Sequence, residues 1–260
     1  MLRQKSCYTI TFGDQAENHK GMQKIGKLAK SGFTKEELLK IMHEFEKMCI
    51  VCELIDLNTL LPDNIIADPA YLLVIRGGGK VFLGEEHTID DLLKEQSELD
   101  YDTKAFMYGR VVNKKARHNI CFSDEGQEAD YDNKMGSIVA FKDVPLLNKI
   151  RNGLPEFCGK KAELLQAEGN FYYDINKCYI SYHGDAERKI VIALRLGSTI
   201  PLWYQWFQNS SAVGETLKLE LNHGDMYIMS DKAVGYDWKK RKIATLRHAA
   251  GLTHLISFKK

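Results

Sequence analysis

No apolar run in the 260 residues reaches the 18 or more that a membrane-spanning helix requires. The opening residues, Met1-Leu-Arg-Gln-Lys-Ser6, lack the apolar stretch of a secretory signal. These two absences set the expectation of an intracellular protein, cytoplasmic or nuclear, with no membrane partner. Net charge is missing too: 36 Lys and Arg stand against 35 Asp and Glu, so any binding to nucleic acid falls to local patches rather than a global field. The cysteines are scattered. Cys49-Ile-Val-Cys52 has no second pair to complete a zinc site and lies in an apolar run, so core packing in a reducing compartment is its expected role. Arg76-Gly-Gly-Gly79-Lys80 lacks the Gly-Lys-Ser/Thr of a phosphate loop, and a tight hairpin between 71–75 and 81–83 accounts for its glycines. No repeat or low-complexity linker divides the chain.

What is present reads as a globular chain long enough to bury a full core. Residues 7–12 alternate as a strand. Residues 14–30 read as a helix, with Met22, Ile25 and Leu28 at helical spacing and Gly32 as its stop. Thr34-Lys-Glu-Glu37 is a capping box ahead of Leu38, Leu39, Ile41, Met42 and Phe45, and Thr88-Ile-Asp-Asp91 caps a further helix through Leu99. Residues 50–57 read as a buried strand, and Pro145 to Arg151 and Ala162 to Gln166 as helical connectors. From 189 onward, short strand-like runs at 189–198, 200–207, 217–225 and 226–230 are separated by Gly, Ser, Asn and Asp, the mark of a sandwich or barrel. The expected class is α+β with a mainly β core.

The chemistry centres on Tyr182-His183-Gly184-Asp185-Ala186. In a strand, residues i and i+2 share a face, so His183 and Asp185 can converge on one ion. Neutral imidazole plus carboxylate suits Fe(II), and a second histidine would complete a set that leaves open positions for co-substrate and O2. His248, in Thr245-Leu-Arg-His-Ala-Ala-Gly251, faces that point if 245–250 is a strand. If the strand is 241–247 instead, Arg241, Thr245 and Arg247 share a face and His248 turns away. His223 reads as a surface turn residue, and His254 is given no role. In Leu202-Trp-Tyr-Gln-Trp-Phe207, alternation sends half of the rings into the core whatever the substrate.

Taken in order, His183-Gly-Asp185-Ala-Glu187-Arg188, a β run, His223-Gly224-Asp225 leading into Met226-Tyr-Ile-Met229, and Thr245-Leu246-Arg247 resemble the AlkB family of Fe(II)/2-oxoglutarate dioxygenases, over roughly residues 105–250. Ala116 stands where the family has proline, and Phe171 where it has asparagine. The resemblance implies a double-stranded β-helix (jelly-roll) with flanking helices at 105–260, and residues 1–104 as a mixed α/β region packed on it. It implies an oxidoreductase that hydroxylates or demethylates a nucleobase in DNA or RNA and releases succinate and CO2. Its cofactors would be Fe(II) and 2-oxoglutarate as co-substrate, with ascorbate as reductant. His183, Asp185 and His248 would be the catalytic metal ligands, with Asp237, near the position of the family's distal histidine, as the fallback for the third, and Tyr173 a donor to 2-oxoglutarate. The tail of 2-oxoglutarate would be anchored by Arg241 and Arg247 or, through a second resemblance of 245–251 to prolyl 4-hydroxylases, by Lys259. Arg110 and Arg117, within a basic cluster with Lys114 and Lys115, would meet phosphates, while Tyr182 and Glu187 would lie beside the base. Rival readings are a prolyl, other amino-acid or small-molecule hydroxylase of the same chemistry, and an inactive β-helix binding protein. Oligomeric state is left open.

Overall fold

Alternating residues near the start fold as β1 (Cys7–Gly13), followed by the short β2 (Gln15–Glu17) and β3 (Lys24–Gly26). The computed structural model describes residues 5–256. Thr34 caps α1 (Lys35–Lys47): its hydroxyl accepts from Glu37 N–H and the Glu37 carboxylate accepts in return from Thr34 N–H. Then come β4 (Cys52–Asp56), β5 (Tyr71–Ile75) and α2 (Ile89–Ser97), the last capped reciprocally by Thr88 and Asp91. The middle of the chain holds β6 (Lys104–Met107), β7 (Arg110–Asn113), β8 (His118–Ser123), β9 (Ile138–Ala140) and α3 (Pro145–Cys158). The remainder is β10 (Gln166–Tyr172), β11 (Ile180–His183), β12 (Ile192–Gly197), β13 (Ile200–Gln208), β14 (Ser211–Leu221), β15 (Met226–Met229), β16 (Thr245–Ala250) and α4 (Thr253–Ile256). The class is α+β with mostly β content.

Two sheets dominate. The larger has the order β4-β5-β15-β12-β1-β10-β8-β9, and the smaller β11-β16-β13-β14. Residues 1–104 contribute β1, β4 and β5 to the larger sheet, and β1 lies in its middle, between β10 and β12. Side chains alternate across each strand. On the outer face, Tyr8, Ile10 and Phe12 of β1 join Ile192, Leu194 and Leu196 of β12 and Met226 and Ile228 of β15 against Leu38, Ile41 and Phe45 of α1, Leu92 of α2 and Leu147, Ile150 and Leu154 of α3. On the inner face, Leu72 and Val74 of β5, Ala193 of β12 and Tyr227 and Met229 of β15 meet Leu202, Tyr204 and Trp206 of β13 and Leu246 of β16. The molecule is therefore three layers: helices, large sheet, small sheet.

Four local expectations are corrected. Residues 14–30 are not a helix but β2, a turn and β3. The Asp14 carboxylate accepts from the amides of Ala29 (2.6 Å), Lys189 (2.9 Å) and Ile190 (2.9 Å), so distant backbone, not helical spacing, fixes this segment. Residues 81–83 do not pair with 71–75, because Gly78–Phe82 is a 3-10 turn entered through Gly77 at φ 61°. There the Asp225 carboxylate accepts from Gly77 N–H (2.8 Å) and from Arg76 (2.7 Å), turning the chain away and leaving β4 and β15 as the neighbours of β5. After α3, residues 160–162 make one 3-10 turn and Gln166 already begins β10, so no helix spans 162–166. Of the cysteine pair, Cys49 is exposed rather than packed, whereas Cys7, Cys121, Cys158 and Cys178 are buried thiols.

Candidate metal centre

The site is assembled by pairing of β11 with β16, which sets His183 directly opposite His248. Cross-strand neighbours on one face lie within side-chain contact, and the two imidazole centroids are 4.4 Å apart. After His183 the chain crosses the 231–240 segment at a point where only glycine fits: a Cβ on Gly184 would collide with the Gly235 carbonyl oxygen and the Trp238 side chain. Gly235 is itself left-handed, at φ 74°. This crossing lets Asp185 N–H donate to Val234 O (3.0 Å) and returns the carboxylate to the histidines. Asp185 Oδ1 lies 3.4 Å from His183 Nε2 and 3.5 Å from His248 Nε2. One ligand atom from each of the three residues falls within 4.8 Å of the others, an arrangement that can hold a metal ion.

The surroundings favour the ligand forms. His183 Nδ1 is 2.9 Å from Ser181 O, so a proton there leaves the Nε2 lone pair toward Asp185. Burial, reinforced by His183 alongside, lowers the pKa of His248, while the Asp185 carboxylate beside it acts in the opposite sense. Burial opposes ionisation of Asp185, yet the two histidines and Arg188, 3.8 Å away, hold its carboxyl well below the usual range. Arg188 is buried and ion-paired, with Glu168 at 2.5 Å and Glu187 at 3.0 Å. Burial, and then the charge of Asp185, push Glu187 upward.

The three residues open on a cavity of about 680 Å³ between the sheets, within the range of small-molecule sites. Of the residues expected at the site, Tyr182, Glu187 and Arg117 also line it, Arg117 donating to Asn170 Oδ1 at 2.6 Å. Others lie elsewhere. Tyr173 is partly exposed, and its hydroxyl donates to Lys115 O (2.6 Å). β16 begins at Thr245, so alternation puts Arg247 on the face opposite His248, stacked 3.9 Å over Phe207. Arg241 is exposed outside the strand, and Arg110 is exposed on the β6–β7 hairpin. Asp237 is paired with Lys232 (2.8 Å), and His223 accepts from Gly197 N–H (3.0 Å). Lys259 falls outside the described residues. Nor does the basic cluster face outward as a unit: Lys114 is turned inward onto Asn18 Oδ1 (2.6 Å), and burial lowers its pKa to about 8.

Sequence reasoning missed Arg188, Glu168 and Arg195 as cavity residues. Arg195 carried a readable signal, since it is the one charge inside the apolar run Ile190 to Leu196.

No family model matches the chain. Over 254 residues it is 50% identical to "Uncharacterized protein R156" of Acanthamoeba polyphaga mimivirus, covering 96% of this chain and 98% of that protein. The chain belongs to the family of this viral protein. The coverage is near end to end, so the similarity is not confined to the half of the chain that carries His183, Asp185 and His248.

Proposed function

We propose that the chain is an Fe(II)- and 2-oxoglutarate-dependent dioxygenase of AlkB type that oxidises a nucleobase in DNA or RNA. The observation that carries this reading is the convergence of His183, Asp185 and His248 on one point of a ligand-sized cavity. Two neutral imidazoles and one carboxylate are the donor set of non-haem Fe(II) oxygenases, so the residues present fit that ion. The strand order supports the scaffold. A jelly-roll has eight strands in two sheets. Here β10, β12 and β15 lie in the large sheet and β11, β13, β14 and β16 in the small one, with β1 inserted between β10 and β12 as the eighth. Exposed Lys20, Lys24 and Lys239 line the cavity toward solvent, where they favour a phosphate-bearing substrate.

In this reading Nε2 of His183, Nε2 of His248 and a carboxylate oxygen of Asp185 hold the ion. Ser181 O fixes the His183 tautomer, and Arg188 keeps the Asp185 carboxylate ionised and oriented. Fe(II) bound there supplies oxidation of the substrate by O2, coupled to conversion of 2-oxoglutarate into succinate and CO2. Asn170, Arg117 and Glu187 offer polar groups to a base edge, and Tyr182 an aromatic face. The test is succinate release by the purified protein with Fe(II), 2-oxoglutarate and ascorbate. Stimulation by methylated single-stranded oligonucleotides and its loss in His248→Ala are expected. Absence of succinate with every oligonucleotide would sink the proposal, and succinate indifferent to oligonucleotides would remove the nucleobase.

A further inference from the structure

Two arginines are buried on the inner side of the large sheet, and they differ in their partners. Arg188 is paired with two carboxylates, Glu168 and Glu187. Arg195, with no exposed surface, meets no carboxylate: Nη1 donates to Thr9 Oγ1 (2.8 Å) and contacts Cys7 Sγ (3.6 Å), while Nε and Nη2 have no partner among the described residues. Nε–H and Nη2–H form one edge of the planar guanidinium, the edge that binds a carboxylate through two parallel hydrogen bonds. Alternation places this edge inside. Ile192, Leu194 and Leu196 face the helices, whereas Ala193 and Arg195 face the small sheet, and Arg195 lines the same cavity as the metal-site residues.

A buried cation with half of its donors idle is costly unless a ligand completes it. We propose that Arg195 is the carboxylate-binding residue of this cavity and holds a small dicarboxylate by its Nε/Nη2 edge. Thr9 of β1 steers the guanidinium from behind, which makes the N-terminal strand part of the binding site. Identification of the dicarboxylate as 2-oxoglutarate rests on the dioxygenase reading; the carboxylate site itself does not. Of the residues expected from the sequence to hold it, Arg241, Arg247 and Tyr173 do not line the cavity, and Lys259 falls outside the described residues.

The experiment uses the metal-free full chain, with succinate and 2-oxoglutarate as probes at millimolar concentration. Binding is read by calorimetry and by the shift in melting temperature, for the wild type, Arg195→Met and Arg195→Lys. Loss of a charge-assisted bidentate pair weakens binding roughly tenfold to a hundredfold in Arg195→Met. The same variant should melt no lower than the wild type without ligand, because methionine removes an unpaired buried charge while conserving most of the volume. A purely structural arginine would give the reverse, a lower melting temperature with unchanged binding. Arg195→Lys keeps the charge, folds in the same environment and retains weakened binding. Dicarboxylate binding that is equal in all three proteins, or absent from the wild type, would overturn the proposal. Arg195-dependent binding in a protein that never makes succinate would uphold it while ending the dioxygenase reading.

Discussion

On β1, Tyr8, Ile10 and Phe12 enter the helix-covered core, while Thr9 and Thr11, one residue out of step, line the cavity. The neighbour β12 repeats the division, with Leu194 outward and Arg195 inward, and β10 does so with Ala167 against Glu168. The two faces of one sheet thus carry opposite duties. The outer face removes apolar surface from water at about 25 cal/mol per Å² and supplies stability. The inner face is mixed: Ala193, Tyr227 and Met229 pack against the small sheet, while Thr9, Glu168 and Arg195 line the cavity, where burying polar groups costs stability unless they are hydrogen-bonded.

The comparison breaks most visibly at Phe12, fully buried on the outer face. Phe12→Ala should cost about 3–5 kcal/mol in urea unfolding, with metal affinity at the site unchanged below the transition. A loss of metal affinity in the still-folded variant would show that the faces are not separable. A smaller effect comes from Lys114, the amine sequestered beside Asn18 and Asp102. Its folded pKa of about 8 lies below the ordinary 10.5, so between those values the unfolded chain binds more protons and stability rises with pH. Below pH 8 the cost of the buried charge is fully present. Lys114→Met removes it, so the difference in stability between wild type and variant should change by about 2–3 kcal/mol from pH 7.5 to pH 10.5, in favour of the wild type at high pH. A pH-independent difference would place the amine in solvent. The smallest effect is expected at Tyr173, whose hydroxyl is spent on a backbone carbonyl. Tyr173→Phe should cost about 0.5–1 kcal/mol and leave dicarboxylate binding untouched. A tenfold loss of that binding would restore Tyr173 to the cavity.

Legibility in the sequence followed the range of the interactions. Both capping boxes, at Thr34 and Thr88, were readable because cap and partner lie three residues apart. The β1 and β12 to β15 regions were readable from alternation and turn residues. Residues 14–30 misled because Met22, Ile25 and Leu28 fall at helical spacing while the Asp14 carboxylate answers amides as far away as Ile190. The glycines at 77–79 misled for the same reason, since the group that turns them is Asp225. The convergence of His183 and Asp185 was legible from spacing, whereas His248 was one of two alternatives. The choice between Arg247 and His248 turned on where that strand starts, which local pattern left open. Arg195 was visible as a lone charge among Ile, Ala and Leu, but its place was not, because only the folded sheet shows that this face of the strand borders a cavity.

The central claim is that His183, Asp185 and His248 form one metal centre, and titration of the purified protein with Mn(II) tests it most directly. One ion per chain is predicted, with affinity falling roughly 100-fold or more in each of His183→Ala, Asp185→Asn and His248→Ala. A wild type that binds no ion, or single variants that bind it as the wild type does, would contradict the account.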